Sequence, residues 1–204
     1  MASGFKRKGH RFVAQLDGAE REVVVELLLQ THAFLAPVHR QTTGDPFDDL
    51  VATLGLPALA DSEADAAQVP RDPAMERLLP AGHHDDPAMA AEFRRLTQHG
   101  LRERKTANLA AAIAAIAAVT AADGDKVRLD QEQAQAMVVA LTDVRLLLGE
   151  RLGLRTDDDA DALQDRLESA DEDDAAEDDP QLYLAAYYDF MTWLQESLTQ
   201  ALMS

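Results

Sequence analysis

The sequence predicts an all-α helical bundle, with a small N-terminal β-hairpin ahead of it and a mobile acidic segment before its last helix. Three observations predict it. Apolar residues recur at helical spacing over four long stretches, Asp and Asp-Pro signals open most of them, and alanine, the best helix former, is abundant. The chain has 204 residues, a length that suits one domain. We read 1–204 as a single helical domain in which 156–179 is a mobile acidic insert.

Taken in order, "MASGFKRKGHRFVAQL" alternates weakly about a Lys8-Gly9 turn and reads as a hairpin. "DGAE" at 17–20 is a capping box: Asp17 caps, and Glu20 reaches back to the cap's amide. The helix that follows, 18–38, places Val23, Val24, Leu27, Leu28, Phe34, Leu35 and Val38 on one broad face. A short helix over 46–54 and a loop over 55–71 come next. "DPAMERLLP" and "DPAMAAEFRR" each start with Asp as N-cap and Pro at the first helical position, where a missing N–H is harmless. From Pro87 one long helix is expected to run through an alanine tract to about residue 122. Asp130 and Gln133 cap another, whose residues Met137, Leu141, Val144, Leu148 and Leu152 share an arc of about 80°. Gly153 fits its C-terminal cap. Asp179-Pro180 opens the last helix, which carries Tyr183, Tyr187, Phe190, Met191, Leu194, Leu198 and Leu202 on one side.

Composition narrows the function classes. Hydrophobic residues make up 47% and aromatics 5%, so Leu, Val and Ala must fill the core. The absence of Cys removes disulfides, thiolate metal sites and a cysteine nucleophile. No apolar run approaches the roughly 18 residues of a membrane span. The stretch after Lys6, Arg7 and Lys8 is broken by Gln15 and Asp17, too early for a signal peptide. A cytoplasmic protein without a membrane association is expected. Between Thr156 and Asp179, 13 Asp/Glu stand against Arg166 alone, a net of −12 that leaves −6 on the other 180 residues of a chain at −18. Such a segment cannot bury enough apolar surface to offset its ordering entropy, although a helix near 159–169 is within its reach.

Positive charge collects in "AEFRRLTQHGLRERK", residues 91–105. In helical projection Arg94, Arg95, Arg102 and Lys105 fall within about 100° of one another, with Phe93, Leu96 and Gly100 on the other side. Such an arc is an anion- or partner-binding face, or a face paired internally with carboxylates such as Glu92 and Glu76. Arg145 lies at the edge of an apolar face, where an arginine needs a carboxylate or carbonyl partner; a structural salt bridge is expected, with an external ligand as the alternative. Trp193, to one side of the last helix's stripe, and the wide apolar face of 18–38 mark a candidate homodimer interface. His83, His84, Asp85 and Asp86 lack metal-ligand spacing. Without a phosphate loop, a Ser-His-Asp arrangement or an HExxH motif, neither catalysis nor a metal or cofactor is expected.

Four stretches together resemble one family: "RLLP" (77–80), "DDPAMAAEFRRLTQHGLRERK" (85–105), "LTDVRLLLGERLGL" (141–154) and "YDFMTWLQESL" (188–198). They resemble the actinobacterial family catalogued as domain of unknown function 2017, over essentially the whole chain. The resemblance implies a bacterial, cytosolic, biochemically uncharacterised protein. Its gene would often lie beside that of a ClpS-type adaptor, which delivers substrates to the Clp protease. It also implies that Arg94, Arg95, Arg102, Lys105, Arg145 and Arg151 are the family's polar signature here, with Arg145, Arg151 and Glu92 as ion-pair candidates. Family members commonly carry an aromatic residue early in the "LTDVR" helix; this chain has Met137 there. The expected function is a non-enzymatic interaction or regulatory protein with a protein partner, accessory to Clp-regulated proteolysis. The alternative is a DNA-binding regulator using the 129–153 helix or the basic arc, which a sequence pI near 4.5 disfavours.

Overall fold

The computed structural model describes residues 2–36, 72–80, 82, 86–170 and 179–204. The helix expected at 46–54, the loop at 55–71, the group His83, His84 and Asp85, and residues 171–178 of the acidic insert lie outside them. Residues 1–35 and 73–204 belong to one unit, which holds six helices and three strands among the described residues.

Strands β1 (Ser3–Lys8) and β2 (Arg11–Gln15) form the expected hairpin. Gly9 takes φ +63 in its turn, a conformation that costs a residue without a Cβ nothing. A third strand, β3 (Lys126–Leu129), was not expected. It pairs antiparallel with β2, matching Phe12 with Leu129 and Ala14 with Val127. These four side chains point inward and are buried, as is Phe5 of β1. The hairpin is thus one part of a small sheet ordered β1-β2-β3.

Helix α1 (Gly18–Leu35) starts at the expected capping box, with Asp17 and Glu20 exchanging bonds of 3.0 and 2.7 Å. Helix α2 (Pro73–Leu78) is short and buries Ala74 and Leu78. Helix α3 (Pro87–Ala117) is capped by Asp86, which accepts from Ala88 and Met89 amides. It stops at Ala117, earlier than expected. There the chain turns off through Thr120, whose amide and hydroxyl both donate to Asp123, and enters β3.

Helix α4 (Gln131–Leu152) is the spine. It carries the expected Asp130–Gln133 capping box and ends on Gly153 at φ +76, the left-handed cap that glycine favours. It packs against α1, α2, α3 and the C-terminal helix α6 (Pro180–Met203). Met137, Leu141, Val144 and Leu148 interleave there with Leu28, Leu109, Ile116, Leu194 and Leu198. Within the acidic stretch, residues 157–170 form helix α5 (Asp157–Ala170), which touches α6 and buries Leu163.

Candidate functional site

The direction of the basic arc is decided by the far end of α3. Leu109, Ala112 and Ile116 are buried there and fix which side of the helix faces the bundle. At about 100° per residue, Arg94, Arg102 and Lys105 fall on that same inward side. Met89, Phe93 and Leu96 are turned outward, with 52, 40 and 65% of their surface exposed. Over this stretch Arg94, Arg102 and Lys105 therefore turn inward while Met89, Phe93 and Leu96 turn outward.

The inward cations have work within the fold. Lys105 makes an ion pair with Asp143 of α4, and the two side chains are 15 and 1% exposed. Burial raises the Asp143 carboxyl above the usual range, and the Lys105 hydrogen bond only partly offsets this. Arg102 donates to the carbonyl of Leu35 at 2.8 Å. This is the C-terminal end of α1, where a positive charge also complements the helix dipole. Arg95 points outward and chelates Glu92 one turn back, at 2.9 and 2.7 Å. That bond holds the Glu92 carboxyl below its ordinary value. Arg94 is half-buried. The expected four-cation surface is thus divided: Lys105 and Arg102 tie helices together, and Arg95 with Glu92 is an exposed pair.

Arg145 corrects a second expectation, because its partners among the described residues are neutral. Its Nη1 donates to Gln195 Oε1 at 2.7 Å, and Nη2 makes a long bond of 3.4 Å to the Tyr188 hydroxyl. The guanidinium lies over the Tyr188 ring, 5.3 Å from the centroid, a cation–π placement. Gln195 in turn donates to Thr142 at 2.7 Å. Arg145 Nε is buried with no hydrogen-bond partner among the described residues. Beside it lies a cleft of about 170 Å³ lined by Arg77, Thr142, Arg145, Leu146, Gly149, Leu154 and Tyr188. Arg77 is anchored at its rim by Glu150 (2.8 Å) and the Leu154 carbonyl (2.9 Å). Arg155 also reaches Glu150, at 2.8 Å. Sequence reasoning missed Arg77 because nothing local shows that α2 packs on α4.

Arg151 sits over the Phe34 ring at 5.9 Å. Trp193 stacks on Phe190 with centroids 5.8 Å apart and is 36% exposed. It closes the seam between α6 and β1, beside Gly4.

A further basic surface went unforeseen. The inward positions of β2 and β3 are apolar, so the alternate positions face out. Across the three strands Lys6, Val13 and Arg128 are in register, flanked by the Lys8–Arg11 pair and by Lys126. Asp123 holds Arg128 at 2.5 Å and Asp130 approaches Arg11 at 3.6 Å. Three of the chain's four lysines lie here. The signal was the alternation of "KVRL" just before the Asp130 cap.

Among the described residues no three His, Cys, Asp or Glu side chains converge to hold a metal, and no helix is long and apolar enough to cross a membrane. A family model described as domain of unknown function (DUF2017) matches residues 2–202, so the chain belongs to that family. No curated protein and no solved structure matches it.

Proposed function

We propose that this member of the DUF2017 family is a non-enzymatic interaction protein that docks a protein partner on the outward face of α3 and serves Clp-regulated proteolysis. One observation carries the docking reading: Met89, Phe93 and Leu96 stand one turn apart on solvent, the anchor pattern of helix-in-groove recognition. The Phe93 ring is held ready against Gly82, where an added Cβ would lie 2.6 Å from it. The link to Clp rests on the gene neighbourhood that the family resemblance implies. The test is titration of the purified chain with a ClpS-type adaptor from the same cell. Binding should be saturable, and Phe93→Asp with Leu96→Asp should weaken it at least tenfold without moving the thermal midpoint. No binding by wild type removes the Clp assignment.

The outward sheet face favours a second reading, a nucleic-acid contact made by Lys6, Lys8, Arg11, Lys126 and Arg128. Helix α4 is packed on several sides, so this reading rests on the sheet rather than on a groove-reading helix. Duplex affinity should then fall steeply with salt and be lost in Lys6→Glu/Lys8→Glu. Absence of binding at low salt excludes it.

A further inference from the structure

The cleft beside Arg145 has an unusual donor balance. Arg77 carries five N–H groups, of which Nε serves Glu150 and Nη2 the Leu154 carbonyl. Its Nη1 lies at the cleft, 4.0 Å from where a Gly149 Cβ would stand, and has no acceptor among the described residues. The Tyr188 hydroxyl accepts from Arg145 and has its own proton to give. Among the described residues, Arg145 contributes a full charge compensated by an amide, a phenol and a ring. The acceptors nearby are already engaged: Glu150 holds both Arg77 and Arg155, and Thr142 Oγ1 takes Gln195. Among the described residues that line the cleft, none is an acceptor with negative charge.

From this we propose that the cleft between α2, α4 and α6 binds a small oxyanion, a carboxylate or a phosphate group. It would be held by Arg77 Nη1 and the Tyr188 hydroxyl, within the field of Arg145. Guanidinium groups match both anions in geometry and form their stronger, charge-assisted hydrogen bonds with them. Leu146, Leu154 and the Tyr188 ring make the remaining walls, and apolar walls strengthen each polar contact. At about 170 Å³ the space is below the roughly 300 Å³ where organic-ligand pockets begin, so it suits an ion or a short acid. Gly149 keeps it open, since a side chain there would grow between Tyr188 and Arg77.

The test uses the full chain labelled with 15N, titrated with inorganic phosphate and with acetate, against chloride at equal ionic strength. Saturable shifts are expected at Gly149, Leu154 and Tyr188 with one or both oxyanions and not with chloride; which anion saturates at lower concentration tells the source. Arg145→Gln and Gly149→Leu should each weaken binding at least tenfold, whereas Gly149→Ala, whose Cβ makes ordinary contacts, should retain it. Absence of saturable shifts at these residues overturns the proposal on wild type alone, whether or not a variant folds. Shifts confined to Lys6, Arg11 and Arg128 overturn it as well, by placing the anion on the sheet.

Discussion

Among the described residues, Lys105 of α3 reaches Asp143 of α4 in the most enclosed ion pair, and Asp143 Oδ2 has no hydrogen-bond partner there. Burial costs the carboxylate more than Lys105 returns, so its carboxyl is held above the ordinary range. The pair sits where α3 crosses α4, so its geometry fixes the register of two helices whose contact is otherwise mostly small and aliphatic.

Removing only the cation should therefore be expensive. Lys105→Met leaves a buried carboxylate uncompensated and should destabilise the fold by about 3–5 kcal/mol at neutral pH. The sign of its pH dependence is diagnostic. A carboxyl whose folded pKa exceeds its unfolded value binds more protons in the folded state, so its unfavourable contribution grows as pH rises through that window and fades as pH falls. Denaturant unfolding of Lys105→Met should show the loss shrinking from pH 7 towards pH 5. Lys105→Met/Asp143→Leu should recover most of it. A pH-independent loss would show that Asp143 is not charged in that site.

Gly4 and Ser197 define the joint between sheet and bundle. A Cβ on Gly4 would lie 2.6 Å from Ser197 Cβ and 2.8 Å from its hydroxyl, which also accepts the Phe5 amide at 3.0 Å. Gly4→Ala should cost about 1–3 kcal/mol by overpacking, and Ser197→Gly in that background should restore part of it. Gly149→Ala makes the contrasting case. Its nearest contact is an ordinary 3.6 Å, so gained helix propensity should raise stability by about 0.5–1 kcal/mol. Thermal unfolding of the two single variants should move in opposite directions.

Most helices were legible because their starts are local chemistry: Asp17–Glu20, Asp86-Pro87, Asp130–Gln133 and Asp179-Pro180 each sit at the observed boundary. Strand β3 was not legible because its four residues alternate only twice and its partner β2 is over a hundred positions away. The basic arc was legible as an arc, but its direction was not. Phe93 and Leu96 could be placed only opposite it, and which side turns inward is set by Leu109, Ala112 and Ile116 further along the same helix. Arg145 was identifiable as an arginine needing partners. That these are Gln195 and Tyr188 depends on how α6 lies across α4, which no spacing encodes.

Charge reversal separates the two kinds of cation on α3. Arg95 and Glu92 are 61 and 57% exposed along their side chains and one turn apart on the same helix, and such pairs contribute little to folding. Arg95→Glu should leave the thermal midpoint essentially unchanged. Arg102 instead bonds a carbonyl 67 positions away, at the end of α1, and that contact is partly buried. Arg102→Gln should lose a charge-assisted bond, about 1.5–3 kcal/mol. Arg102→Glu should cost more, because a carboxylate would then face a carbonyl at the negative end of the helix dipole. Protection of the last-turn amides of α1 in hydrogen exchange should fall first in both Arg102 variants and remain at the wild-type level in Arg95→Glu. Equal effects of Arg95→Glu and Arg102→Glu would mean that the arc acts as one exposed surface after all.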